Sequence, residues 1–226
     1  MPGNTSEKTP SGNPRGFSWR RTFLFFAVCI VVAALVRGFL IQMYMIPSGS
    51  MEPTLDVGDH IAVYRQSYLT HPPRRGDVVV FDGRGTFYPN RVEPTGLKAV
   101  GTEIGSWFGL ANRNAYIVKR VIGVGGDHVR CCNTAGKIVV NGNPVNEPYI
   151  MPGNAPSAGK FNVKVPPGHL WLMGDHRSDS ADSRAHLGDP GGGMLPDSRV
   201  VGKVVLRIWP PSRFGSIDHG GDRRAG

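Results

Sequence analysis

The chain has 226 residues, of which 40% are hydrophobic, and this is enough for one or two compact domains with a real core. Its formal net charge of +9 suits nucleic acid, an anionic membrane surface or acidic substrates. No Lys/Arg run with interleaved aromatic residues marks a nucleic-acid face, so we expect no nucleic-acid partner.

A polar stretch and then a long apolar run open the chain. Residues 1–21 are rich in Ser, Gly, Pro and Asn, which is typical of disorder. Residues 22–43 are apolar except for Arg37 and a few small or polar positions; as an α-helix they would be about 33 Å long, enough to cross a bilayer. A cleaved secretory signal is the alternative, but no small-x-small cleavage site follows. We therefore predict that 22–43 is a retained transmembrane anchor.

The charges before this run predict its orientation. Four basic residues precede it against one acidic residue: Lys8, Arg15, Arg20 and Arg21 against Glu7. By the positive-inside rule, residues 1–21 form a cytoplasmic tail and everything after the anchor is exported. The expected location is the cell membrane, crossed once, with 44–211 as an extracytoplasmic domain and the polar stretch 212–226 as a flexible C-terminal tail.

The exported part contains short β-branched runs separated by Gly and Pro, which predicts an antiparallel β-domain. These runs are 60–65, 77–82, 116–122, 137–140, 161–165, 169–173 and 199–209. The step Asn141-Gly142 is a strong hairpin signal, because both central residues of such a turn need φ > 0. The predicted fold class is mainly β, an antiparallel domain on a single N-terminal transmembrane helix.

The segment 83–115 interrupts this strand pattern. Apolar residues recur in it at helical spacing: Leu97, Val100, Ile104, Trp107, Phe108 and Ala111. One hypothesis is that this insertion docks on the bilayer surface through Trp107 and Phe108. Simple packing against the β-core is an equally good alternative.

Three cysteines, Cys29, Cys131 and Cys132, encode no disulfide framework. A bridge between neighbours would be strained, because consecutive Cα atoms lie about 3.8 Å apart across a trans peptide. We therefore expect Cys131 and Cys132 to be two structural thiols.

The segment 46–55, IPSGSMEPTL, is the first of three that carry chemistry. Ser48 and Ser50 flank Gly49, which allows a tight bend and leaves backbone N–H groups free to point at an oxyanion. Alone, a Ser-Gly-Ser sequence is most often only a turn.

The segment 117–123, IVKRVIG, places Lys119 on the alternation of Ile117 and Val121. An apolar pocket disfavours the ammonium form, and a neutral amine can accept a serine proton as a general base. The alternative is that Lys119 is a solvated strand residue beside Arg120.

The segment 174–184, GDHRSDSADSR, is dense in hydroxyl and charged groups. Asp175, Asp179 and Asp182 suggest a calcium loop, but their spacing does not match an EF-hand and no bidentate Glu follows. A hydrogen-bonded loop that supports a site fits better, with Asp182 and Arg184 able to pair.

Together, these three segments resemble the conserved boxes of bacterial type I signal peptidases, and the segment 75–81, RGDVVVF, resembles a fourth. The resemblance runs in family order from the anchor to about Trp209. It implies a membrane-bound serine endopeptidase that removes signal peptides after an Ala-x-Ala-like motif. It also implies a mostly β fold in which the substrate lies extended along strand edges near Ser50 and Lys119.

The resemblance assigns roles to individual residues. Ser50 corresponds to the nucleophile, Lys119 to its general base and Ser48 to a side-chain oxyanion donor. Ser180 matches a hydroxyl that orients the lysine, with Asp182 and Arg184 as the structural pair behind it. The residues that fall near the substrate pockets are Ile46, Pro47, Met51, Leu55 and Ile117.

One departure raises a rival mechanism. His176 stands where many relatives carry Asn, and a Ser50–His176–Asp triad would leave Lys119 without a role.

Two other classes of protein are alternatives to a peptidase of this family. A self-cleaving repressor would carry a DNA-binding module where this chain has its apolar run. An inactive membrane-anchored binding module would be free to lose Ser50 or Lys119. The expected partners are signal-peptide-bearing preproteins and membrane phospholipids, with no metal or other cofactor; the oligomeric state stays open.

Overall fold

The computed structural model describes residues 19–69, 71–87 and 116–220, with the backbone alone for 33–39. This described part divides between residues 36 and 37 into two compact units. The predicted disordered tail up to residue 18, most of the insertion 83–115 and the last six residues lie outside the described part.

An α-helix, α1, spans Trp19–Phe39, so its bounds differ from those predicted for the anchor. The helix begins earlier, and the end of the predicted run belongs to strand β1, Ile41–Met45. Among the described residues, no helix has both the length and the apolar character that a membrane crossing requires.

Most strands of the second unit form one large antiparallel sheet in the order β1-β2-β11-β3-β4-β9-β10, with β12 paired to β11. Their bounds are β1 Ile41–Met45, β2 His60–Tyr64, β3 Val78–Asp82, β4 Tyr116–Val124, β9 His169–Met173, β10 Leu195–Pro196, β11 Val200–Trp209 and β12 Gly215–Ser216. The mainly β fold that the sequence predicts is confirmed within the described residues.

A smaller antiparallel sheet has the order β7-β6-β5-β8. Its strands are β5 His128–Cys131, β6 Val139–Val140, β7 Asn143–Pro144 and β8 Phe161–Lys164. The predicted hairpin joins β6 to β7, with φ of 51° at Asn141 and 85° at Gly142. Asn and Gly tolerate these angles better than other residues, which confirms the turn prediction.

The β-branched residues of these strands fill three core clusters. The first cluster lies around β2 and the start of β3 and includes Leu55, Ile61 and Val78. The second joins the smaller sheet to β9 around Trp171. The third packs β3, β4 and β9 together around Phe81. Strands β3, β4 and β9 therefore have packed surroundings and are suited to hold side chains rigidly.

The prediction of two separate thiols is wrong, because Cys131 and Cys132 form a disulfide. The expectation assumed the spacing of a trans peptide, whereas this peptide is cis and its Cα atoms are 3.0 Å apart. The pair packs against the second core cluster.

Much of the predicted flexible tail 212–226 is ordered. Strand β12 pairs Leu206 with Ser216, and Ile217 is buried in the first core cluster. Two large apolar residues, Phe214 and Ile217, in a polar stretch were too weak a signal to predict this.

Candidate active site

Ser50 lies in a short 3₁₀ helix, Gly49–Met51, that follows β1. The start of this turn is fixed by Ile46, whose N–H donates to Asp59 O at 2.9 Å and whose carbonyl accepts from the Gly58 N–H at 2.9 Å. Its end is fixed where the Leu55 N–H donates to Met51 O at 2.9 Å. The turn is therefore held on both sides and presents a half-buried Ser50.

Lys119 comes from the middle of β4, and its Nζ lies 2.5 Å from Ser50 Oγ. The two residues are 69 positions apart in the sequence. Lys119 pairs with Val79 of β3, and Ile117 pairs with Phe81 in the same regular register. The structure therefore brings together the two residues that the sequence singled out as nucleophile and base.

The Lys119 side chain is almost completely enclosed, with 2% of the residue exposed. This burial lowers the pKa of Lys119 from its ordinary 10.5 to about 8, and the carboxylates of Asp182 and Asp175 partly oppose the change. A low-dielectric environment disfavours the ammonium form. About a tenth of the amine is thus neutral at pH 7, compared with less than about a thousandth for a lysine of ordinary pKa.

The polar loop 174–184 lies against the Ser50 turn. The His176 N–H donates to Ser50 O at 3.2 Å. A methyl group at Gly174 would collide with Ser180 Oγ and with Ser50 O, so only glycine allows this approach. Ser180 Oγ is buried beside Gly174 and is close enough to the Asp182 carboxylate to help lower the pKa of Asp182.

Asp182 and Arg184 form a two-bond ion pair, with Nε–Oδ1 at 2.8 Å and a second nitrogen–Oδ2 distance of 2.7 Å. The Gly174 N–H also donates to Asp182 Oδ2 at 2.9 Å. Burial alone would raise the pKa of Asp182, but the hydrogen bonds and charge of Arg184 outweigh it and lower this pKa. The ionised Asp182 therefore fixes the loop next to Ser50.

The other residues named from the sequence have different environments. Ser48 and Pro47 are exposed just before the 3₁₀ helix, and Ser48 makes no cap bond to that helix. Ile46, Met51 and Leu55 are buried in the first core cluster, and Ile117 packs half-buried against the third. The structure thus places Met51 and Leu55 beneath the turn and Ser48 at its open side.

Sequence reasoning missed Arg120, the residue next to Lys119. Its guanidinium is fully buried and binds Asp175 through two hydrogen bonds, at 2.8 and 2.7 Å. It also donates to Gly76 O at 2.9 Å and lies 3.9 Å above the Tyr149 ring. Thr54 Oγ1 donates to the same Asp175 carboxylate at 2.5 Å. This network links β4, loop 174–184 and the Ser50 segment.

His176 contacts the turn without reaching Ser50 Oγ. Its Nδ1 lies 3.3 Å from Gly49 O and 3.8 Å from Glu52 Oε2. Of the described side chains, Lys119 is the one that hydrogen-bonds Ser50 Oγ. Lys119, and not His176, therefore lies within hydrogen-bond reach of Ser50 Oγ.

Residues 19–209 match the family model described as signal peptidase, peptidase S26. The chain is similar to signal peptidase I of Mycobacterium tuberculosis, with 39% identity over 93% of this chain and 79% of that protein. It is also similar to signal peptidase I of Bacillus licheniformis, with 30% identity over 95% of this chain and 100% of that protein. A crystal structure of a signal peptidase I from Enterococcus faecalis aligns with 59% of this chain and 97% of that chain, at 19% identity and a TM-score of 0.39.

Both Ser50 and Lys119 fall inside the matched range 19–209, as does the whole of loop 174–184. The two relatives align with almost all of the chain. The chain therefore belongs to the signal peptidase family, peptidase S26.

Proposed function

We propose that this protein is a serine endopeptidase that removes N-terminal signal peptides from exported preproteins, with Ser50 as nucleophile and Lys119 as general base. The observation that carries the proposal is the 2.5 Å distance between Lys119 Nζ and Ser50 Oγ, with the lysine enclosed by protein. A hydroxyl becomes a useful nucleophile when a base within hydrogen-bond reach takes its proton. The relatives in Mycobacterium tuberculosis and Bacillus licheniformis carry the name signal peptidase I.

The reaction proceeds in two steps. In the first, Ser50 Oγ attacks the scissile carbonyl carbon while its proton passes to the neutral Lys119 amine. That proton then goes to the departing amine of the mature protein, and an acyl-enzyme remains. In the second step Lys119 takes a proton from water, the resulting hydroxide attacks the ester, and the proton returns to Ser50 as the signal peptide leaves.

The oxyanion of each tetrahedral intermediate needs donors at the open side of the turn. Ser48, exposed directly before the 3₁₀ helix, and the Ser50 backbone N–H are the donors we assign. Behind the base, we assign support to Ser180 and to the Asp182–Arg184 pair, which fixes loop 174–184.

Small side chains are the substrate feature that this site suits. Ile46, Met51 and Leu55 are almost completely buried beneath the turn, and we propose that they form the floor of shallow apolar pockets together with Pro47 and Ile117. Shallow apolar pockets admit alanine and exclude larger residues. We therefore propose cleavage after an Ala-x-Ala-like motif, with the substrate extended beside Ser50.

The segment containing α1 is proposed as the membrane anchor, with its basic N-terminal side in the cytoplasm. Large apolar side chains of this helix are exposed, among them Phe23, Phe26 and Ile30, and lipid would cover them. Confinement to the membrane raises the effective concentration of enzyme and substrate. Contact with membrane phospholipids follows from the same proposal.

Ser50→Ala tests the proposal directly. We expect purified full-length protein in detergent to cut a preprotein once, after a small residue, and Ser50→Ala to reduce the rate by at least about a thousand-fold. N-terminal sequencing of the product gives the cleavage site. Ser67→Ala, at an exposed hydroxyl bonded to Tyr64 O, is the matched control and should retain full activity. Equal cleavage by wild type and Ser50→Ala would refute the proposal.

The pH dependence follows from the lowered pKa of Lys119. Because the neutral amine is the active form and the pKa is about 8, kcat/KM should rise with pH and level off above that value. Between pH 7 and pH 9 the neutral fraction increases roughly tenfold. Initial rates across this range check the prediction, and a flat profile would contradict a lysine base.

A further inference from the structure

The chain segment 215–220, which we call the C-terminal strap, follows the part matched by the family model. It pairs with β11 through Gly215 and Ser216. Ile217, 6% exposed, then enters the first core cluster together with Met51 and Val78. The strap is thus anchored by a sheet ladder and by a buried side chain.

Asp218 reaches the buried arginine beside the proposed base. Its backbone carbonyl accepts a hydrogen bond from the Arg120 guanidinium at 3.0 Å. The same nitrogen donates to Gly76 O, and the other two nitrogens bind Asp175. A buried guanidinium needs an acceptor for each donor, so the strap completes the set that immobilises Arg120.

His219 reaches the strand that pairs with the base. Its Nδ1 lies 3.3 Å from the Val78 nitrogen and accepts the hydrogen bond from that N–H. The register between β3 and β11 ends at Val79 paired with Lys203, so His219 provides an acceptor just past the last pair. On its other edge, Val78 pairs with Arg120 of β4. His219 therefore accepts a hydrogen bond from β3 at a position where β11 no longer pairs with that strand.

This hydrogen bond requires a neutral imidazole. Four charged residues face the ring: Lys203 of β11, Arg120 of β4, Asp77 before β3, and Asp218 of the strap itself. Burial, followed by the charge of Lys203, lowers the pKa of His219 to about 4, while Asp77 opposes the change. Asp77 is itself bound by Lys203 Nζ at 2.6 Å and by Tyr68 Oη at 3.0 Å. The ring is thus neutral, and able to accept, at physiological pH.

We infer that Asp218 and His219 are positioning residues for the Ser50–Lys119 pair, because they fix β3, which pairs with the strand that carries the lysine, and Arg120, which follows the lysine on that strand. The inference rests on the proposed function. Neither residue touches the reacting atoms. Loss of their contacts should loosen β3 and β4, and a misplacement of Lys119 lowers turnover more than substrate binding.

The test compares His219→Phe with His219→Asn in full-length protein in detergent. Phe fills the space but accepts no hydrogen bond, whereas Asn offers an oxygen near the position of Nδ1. We expect His219→Phe to lower kcat about tenfold with KM changed less than about twofold, and His219→Asn to stay within about twofold of wild type. Hydrogen exchange at the Val78 amide should accelerate in the Phe variant and stay slow in the Asn variant.

The pH profile gives an independent readout. The ratio of the Val78 amide exchange rate in the wild type to that in His219→Asn should be constant from pH 8 to pH 5 and should rise as the pH approaches about 4, where the wild-type imidazole gains a proton. The intrinsic pH dependence of amide exchange is common to both proteins and cancels in this ratio. A ratio that stays constant down to pH 4 would overturn the acceptor role of His219.

Two truncations test the strap as a whole. Ending the chain after Gly220 should leave kcat unchanged, and ending it after Ser216 should lower kcat at least as much as His219→Phe. An unchanged kcat in His219→Phe, or equal losses in the Phe and Asn variants, would overturn the inference. If the wild type itself cleaves no preprotein, the proposed function fails, while Val78 exchange still decides whether the strap holds β3.

Discussion

Replacing Lys119 by Met is expected to reduce signal-peptide cleavage by about 10³- to 10⁴-fold, because a base is removed while the apolar stem is retained. Met suits the enclosed environment, in which Lys119 is 2% exposed, so the fold should survive. The measurement is kcat/KM on a preprotein, with a thermal unfolding curve of the same sample. A variant that folds and still cleaves at a rate near wild type would exclude lysine as the base.

His176→Asn is the matched control for this experiment. His176 lies 3.3 Å from Gly49 O through Nδ1, and Asn has an amide that can occupy a similar position. We therefore expect the Asn variant to keep most of its activity at neutral pH. If His176→Asn abolished cleavage while Lys119→Met did not, the base role would pass to the histidine.

Replacing Arg120 by Met is expected to destabilise the fold by about 3–5 kcal/mol, because the Asp175 carboxylate stays buried without its partner. For a chain of this size that corresponds to a fall in melting temperature of roughly 10 °C. Thermal unfolding followed by circular dichroism measures the change. The additional exchange of Asp175 to Leu should recover part of the loss, since it removes the uncompensated charge.

Arg130→Met is the control for Arg120→Met, since Arg130 is exposed on β5. Exposed substitutions of this kind change stability by less than about 0.5 kcal/mol. Equal destabilisation by the two variants would show that the buried pair has no special role.

Strand positions were largely predictable from the sequence. The run 169–173 coincides with β9, and the runs 60–65 and 77–82 differ from β2 and β3 by one residue at one end. The runs 60–65 and 77–82 are rich in β-branched and aromatic residues and 169–173 in large apolar residues, so local preference and tertiary packing agree.

Strand β1 was not predictable from local pattern. Its residues, IQMYM, continue an apolar run whose composition predicts a helix. Exposed and half-buried side chains alternate along β1 only because the strand pairs with β2. The short strand β5, HVRC, presents a similar difficulty, because His128 and Arg130 face outward and leave few apolar residues to mark it. In both cases the partner strand, rather than the local sequence, determines the structure.

The pairing of Ser50 with Lys119 was predictable, because three motifs in family order identify both residues. The burial of Arg120 was not, since a Lys-Arg pair is usually solvated and its acceptors come from three distant positions: Gly76, Asp175 and Asp218. The ordered strap was missed for the same reason. Contacts between remote segments leave little trace in the sequence around either one.

The separation of 69 residues between Ser50 and Lys119 has a consequence for the newborn polypeptide. A ribosome adds residues in order, so the serine turn emerges well before the strand that bears the lysine. Loop 174–184 is synthesised later still. Its Asp182 carboxylate is the group that most opposes the lowering of the Lys119 pKa by burial. The proposed nucleophile and its proposed base therefore cannot meet until the chain has been synthesised at least through Lys119, and the supporting loop joins them only after residue 184.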